Sequence, residues 1–236
     1  MTGSRITLIV FTLGSLSLAG CVHPRGWSYE PMPPIERAAL NPNALVVWPL
    51  TDHRPVENRN RAWVYLIPLM PYGQQDLNRP EDLREHIHSS TWQFMPAQDI
   101  AKALVAEIGN RRIFTEVSSV SSGSGGDLIL VGDLVSTRYE ATLLSYGLSI
   151  AGPDLWALGL PVGSVKNTLA FKLRLEEGIS RTIIWEGSYS AERDEGLFSL
   201  YNLAEDFCYD ALLKELMPKV LSDLELAANK SLGRDN

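Results

Sequence analysis

From Asn167 to Glu177 the chain alternates strictly: Leu169, Phe171, Leu173 and Leu175 point one way, Lys172, Arg174 and Glu176 the other. A period of two over this length makes a β-strand with one dry and one wet face. Glu177-Gly178-Ile179-Ser180 is a short turn, and Arg181 to Ala191 follows with Ile183, Ile184, Trp185 and Tyr189. The two runs predict an antiparallel hairpin. Its dry face needs a cover, and the C-terminus offers one. Between Leu200 and about Asn229 the residues Leu203, Phe207, Ala211 or Leu212, Leu216, Val220 and Leu224 form one helical stripe. Pro218 lies inside that stripe and predicts a kink or break near Glu215. A sheet with a helix laid on it is the smallest fold that hides both faces.

The remaining elements join the same sheet. Ala44 to Leu50 is a continuous apolar run, as expected of a strand buried on both faces. Residues 51–61 read as a polar loop, and Ala62 to Leu69 as a second strand. Residues 71–96 are polar and broken by prolines, with a short helix over 81–88. Ala97 to Asn110 predicts an amphipathic helix, because Ile100, Leu104 and Ile108 recur every four residues. Ile113 to Val117 is a short strand, Ser118 to Gly126 a flexible loop, and Asp127 to Leu144 the longest strand candidate. Residues 192–199 read as a polar turn. The order predicts one α/β (α+β) domain over 44–229, with a mixed sheet of about five strands and both helices packed on it. Residues 230–236 form a tail.

Composition narrows the classes of partner. The 236 residues carry a net charge of −7, with no basic cluster, which argues against nucleic acid and against electrostatic binding to anionic lipid. Cys21 and Cys208 are the only cysteines. Cys208 sits in an apolar helical pattern and reads as a buried small hydrophobe, so no disulfide framework stabilises the fold.

The N-terminus has a pattern of its own. Arg5 is the only charge before Cys21, Ile6 to Leu18 is an apolar run too short to span a bilayer, and Leu18-Ala19-Gly20-Cys21 closes it. This closing stretch resembles the lipobox of bacterial lipoproteins. The resemblance implies that residues 1–20 are a signal peptide cut before Cys21. It also implies a thioether-linked diacylglycerol on Cys21 and an acylated new amine. Val22, where enteric sorting uses Asp for inner-membrane retention, favours the outer membrane and a periplasm-facing domain. Residues 21–43 carry proline at 24, 31, 33, 34 and 42 and read as an extended tether. Trp27 and Tyr29 on it suit either packing on the domain or the lipid interface.

A second resemblance rests on Pro96-Ala-Gln-Asp-Ile-Ala-Lys-Ala-Leu104, the strand Phe114-x-x-Val117 and Asp127-Leu-Ile-Leu-Val-Gly-Asp-Leu134. Over roughly residues 44–190 this order is similar to the soluble domains of the curli secretion channel family, the penicillin-binding-protein activator lipoproteins and the TolB N-terminal domain. It implies an α/β envelope domain and carries over no functional residue other than Cys21.

Residues with catalytic chemistry are few and scattered. Glu85-His86-x-His88 offers metal ligands, but two residues on a helix turn the rings about 200° apart, and no third ligand is near. Asp52-His53 has no nucleophile elbow to serve. Glu176-Glu177 reads as a solvated hairpin end. No cofactor, no metal and no enzymatic activity are expected.

One segment stands out. Residues 141–165 carry a single charge, Asp154, where a short turn would link two strands. Gly147, Gly152, Gly159, Gly163, Pro153 and Pro161 rule out a spanning helix. Leu155, Trp156, Leu158 and Leu160 make it a candidate surface for a partner or a membrane, the alternative being a buried core loop. Two classes of function fit. One is a lipid-anchored, non-catalytic binding or scaffolding component with an envelope protein partner or self-association. The other is an oligomeric accessory or channel-forming part of an export or transport system, with 141–165 contacting membrane.

Overall fold

In a computed structural model, residues 25–85, 92–120 and 126–232 are described. Cys21, His86 and His88 lie outside them. In chain order the strands are β1 (Arg25–Gly26), β2 (Asn41–Val47), β3 (Thr51–Asp52), β4 (Asn58–Arg61), β5 (Tyr72–Leu77), β6 (Trp92–Gln93), β7 (Phe114–Ser119), β8 (Leu128–Leu144), β9 (Pro161–Glu177) and β10 (Ile183–Phe198). The helices are α1 (Pro96–Asn110), α2 (Gly152–Ala157) and α3 (Tyr209–Lys230).

The axis of the molecule is β8. Antiparallel β9 runs along one side of it for its full length, and β10 pairs with β9 in turn. On its other side three strands meet it in succession. Parallel β2 takes Leu128 to Leu130, parallel β3 takes Asp133 and Leu134, and antiparallel β5 takes Tyr139 to Leu144. β7 extends β2 in parallel and β4 extends β5, so the mixed sheet has eight strands rather than about five. β1 and β6 form a separate two-residue pair.

Both long helices cover one face of this sheet. Ile100, Leu104 and Ile108 of α1 and Leu212, Leu216, Val220 and Leu224 of α3 are buried against Leu45, Leu130, Phe171 and Leu173. Burial of this kind stabilises by roughly 1.5–3 kcal/mol per large aliphatic side chain. Beyond α3 the β8–β9–β10 ribbon continues as a bare arm. Its own smaller core holds Leu77, Tyr139, Ala141, Val162, Val165 and Leu197.

Several boundaries differ from the sequence reading. The run from Ala62 to Leu69 is no strand: Ala62–Leu66 is a 3-10 turn folded over β5. A side-chain carbon on Gly73 would lie 2.0 Å from the Ala62 carbonyl oxygen, so glycine is what permits that approach. The polar stretches on either side are instead β4 and β5. Strand β10 extends through the expected turn to Phe198. The C-terminal helix begins at Tyr209, because the segment before it is pinned to the ribbon. Asn167 Nδ2 donates to the Asp206 carbonyl (2.9 Å), and Tyr139 Oη to its carboxylate (3.0 Å). The helix passes through Pro218 without interruption. The proline-rich stretch lies against the domain from Trp27 onward. Trp27 stacks on Phe94 at 4.8 Å, and buried Glu107 of α1 accepts from the Tyr29 hydroxyl and the Met32 N–H. Desolvation and the adjacent Glu107 push the Tyr29 hydroxyl's pKa above its ordinary value.

Candidate functional site

The far end of the ribbon is where two nearly uncharged segments meet. Ala62 to Tyr72 carries no charge, and Ser145 to Leu160 carries only Asp154. Backbone bonds lock them together: Ser145 N–H to the Pro71 carbonyl at 2.8 Å and Leu69 N–H to the Gly147 carbonyl at 3.0 Å. Hydroxyls add to this. Ser145 donates to the Met70 carbonyl at 2.6 Å, and Ser149 to the Leu66 carbonyl. Tyr65 and Trp156 bring their rings to 6.3 Å.

Of the five non-glycine residues with positive φ among those described, three belong to this knot: Leu69 (68°), Tyr146 (58°) and Ser149 (54°). Such conformations cost on the order of 1–3 kcal/mol each and persist only where the surroundings over-determine them. Gly152 completes the fit, since a side chain there would meet the Ser145 backbone at 2.7 Å.

The four residues singled out in the sequence divide between two roles. Trp156 is half-buried, packs on the ribbon core and donates its indole N–H to the Leu144 carbonyl at 2.8 Å. Leu155 is half-buried beside it. Leu158 is 76% exposed and Leu160 is also exposed. The 141–165 range narrows, because 141–144 belongs to β8 and 161–165 to β9. Sequence reasoning missed the other half of the surface. Leu69 is 88% and Ile150 81% exposed, with Trp63, Leu66, Ile67, Met70 and Leu148 exposed around them. The signal was available, since Ala62 to Tyr72 carries no charge and the 141–165 segment carries only Asp154. Its apolar run was absorbed by the expectation of a strand.

The other candidates are occupied by structural partners. Asp52 pairs with Arg54, whose side chain is almost fully buried and also meets Glu81 and Thr137. The Arg54 hydrogen bond holds the Asp52 carboxyl below its ordinary range against the opposing effect of desolvation. His53 Nε2 lies 3.3 Å from Asp133, Glu176 faces Arg181, and Glu177 accepts from Ser180. Among the described residues no group of three His, Cys, Asp or Glu side chains could hold a metal, and no helix is long and apolar enough to cross a membrane. Burial pushes the Cys208 thiol up to about 11.

No protein-family model matches the chain, and no curated protein does. Among solved structures, protein XCC0632 from Xanthomonas campestris, of family DUF330, is similar with a TM-score of 0.51 and 12% identity, over 89% of this chain and 99% of that one. The PelC dodecamer from Paraburkholderia phytofirmans aligns with a TM-score of 0.38 and 10% identity, over 82% and 94% of the two chains. Lipoprotein GNA1162 from Neisseria meningitidis aligns at 0.27 and 16%, over 77% and 96%. The first likeness speaks to the fold alone, and the two lower scores carry no argument.

Proposed function

We propose that this chain is a non-catalytic lipoprotein of the bacterial cell envelope. It is held at the outer membrane through Cys21, faces the periplasm, and works as a binding or scaffolding component through the apolar end of its ribbon. The observation that carries the reading is the joining of two segments with one charge between them, Asp154, into one hydrogen-bonded, exposed surface. Contiguous exposed apolar area of this kind marks an interaction site on a soluble domain. The Leu18-Ala19-Gly20-Cys21 pattern supports the anchor, and the contacts of Asp52 with Arg54, His53 with Asp133 and Glu176 with Arg181 support reading those candidates as parts of the scaffold.

Two measurements test the two halves of the proposal. Replacing Cys21 with Ser should leave an unprocessed precursor, while the natural chain is recovered from outer-membrane fractions with a lipid-modified N-terminus at Cys21. Processing of the serine variant to the same mature N-terminus would rule out the anchor. For the surface, a chain carrying Leu69→Ser, Ile150→Ser and Leu158→Ser should reach normal levels in the membrane fraction yet fail to complement a deletion. Full complementation would remove the surface from the function.

A further inference from the structure

We infer that the occupant of the apolar ribbon end is the lipid bilayer that holds the Cys21 acyl chains, so the domain rests on the membrane at two points. The inference rests on the anchor reading above and adds what the contact surface meets.

The first argument is reach. Arg25 and Gly26 already pair with Trp92 and Gln93, so only three residues, Val22 to Pro24, separate Cys21 from the folded domain. At about 3.4 Å per step, the four steps from Cys21 to Arg25 span at most about 14 Å, and the proline-rich stretch beyond them is packed down rather than free. The point of entry is also informative. Trp27 stacks on Phe94, Phe94 meets Phe207 edge-on at 5.5 Å, and Phe207 packs against both the main core and the ribbon core. The chain therefore leaves the membrane beside the base of the bare ribbon, not at the opposite end of the sheet where β2 and β7 begin.

The layering of side chains is the second argument. The most exposed positions of the surface are aliphatic: Leu69, Ile150 and Leu158. Aromatic residues flank them: Trp63 is 60% exposed, Tyr72 is exposed, and Tyr65, Tyr146 and Trp156 are half-buried. Exposed aliphatic side chains suit acyl chains, and exposed Trp63 and Tyr72 beside them suit the headgroup layer.

Backbone satisfaction is the third. A segment entering lipid must satisfy its own polar groups. Here the N–H groups of Ile67, Leu69, Met70, Leu148, Ala151 and Leu158 all donate to carbonyls within the two joined segments. The net charge of −7 means that the contact works by apolar insertion rather than by attraction to anionic headgroups.

Spin labels placed singly at Leu69→Cys, Ile150→Cys and Leu158→Cys test this, with Ser190→Cys on the open face of the sheet as control. The full lipidated chain is used, in vesicles of phosphatidylethanolamine and phosphatidylglycerol. Lipidation blocks Cys21 and burial protects Cys208, so each label is unique. Collisions with oxygen, which partitions into lipid, should dominate at the three surface sites, and collisions with a water-soluble nickel chelate at Ser190. Nickel dominance at all four sites would overturn the inference while leaving the anchor intact. Exclusion of both reagents at the three sites would also overturn it and point to a protein occupant. Failure of the chain to stay with the vesicles would defeat the anchor, and the inference with it.

Discussion

Trp156 donates its indole N–H to the ribbon backbone, whereas Leu158, two positions on, is 76% exposed. Serine at the two sites should therefore have separate consequences. Trp156→Ser removes half-buried ring area and leaves the Leu144 carbonyl short of a donor, for a loss of about 2 kcal/mol. Leu158→Ser should stay within about 0.5 kcal/mol of the natural chain, as surface positions do. Urea unfolding measures both, and equal losses would mean that the excursion is core. Asp52 offers a second residue-scale test. Its folded pKa lies below the unfolded value of about 3.9, so the Arg54 pairing contributes fully above that value and fades as pH falls through the folded pKa. The thermal midpoint should fall with pH below about 4, and Asp52→Asn should flatten that fall while lowering the midpoint at neutral pH.

Among the elements, those with one buried face were legible in the sequence. The β9–β10 hairpin and the stripe of α3 show their periods directly, because the helix layer dries one side of each. The elements of the bare arm were not, for the same physical reason. Where no helix covers the ribbon, β4, β5 and the far half of β10 need no apolar alternation, so Asn58–Arg61 and Glu192-Arg193-Asp194-Glu195 read as loop and turn. The error over Ala62 to Leu69 was the converse, since an apolar run expected to be a strand is a 3-10 turn and loop whose residues cover a surface. Trp156 was legible as part of the site, while its partner segment was hidden by that error. In α3, Pro218 faces solvent and removes one backbone donor from an otherwise continuous helix. Pro218→Ala should raise stability by about 1–3 kcal/mol, less than the full helix-interior difference because the unfolded chain gains freedom. A lowered thermal midpoint would show that the proline shapes a bend the sheet requires.

At the scale of the whole molecule the fold is a helix-covered sheet from which a strand ribbon projects. Beyond β8 and β9 that ribbon carries a hydrogen-bonded knot of two segments whose one charge is Asp154. Holding Leu69, Ile150 and Leu158 out in water by way of three left-handed residues is costly unless something meets them. The most direct test is oxidative footprinting of these side chains in the purified protein and in intact cells. Leu69, Met70, Ile150 and Leu158 should oxidise readily in detergent-free purified domain and be protected in cells. Ile179 and Leu226, exposed elsewhere on the molecule, should label alike in both. Equal labelling of the ribbon end in both settings would mean that nothing covers it, and would contradict the account.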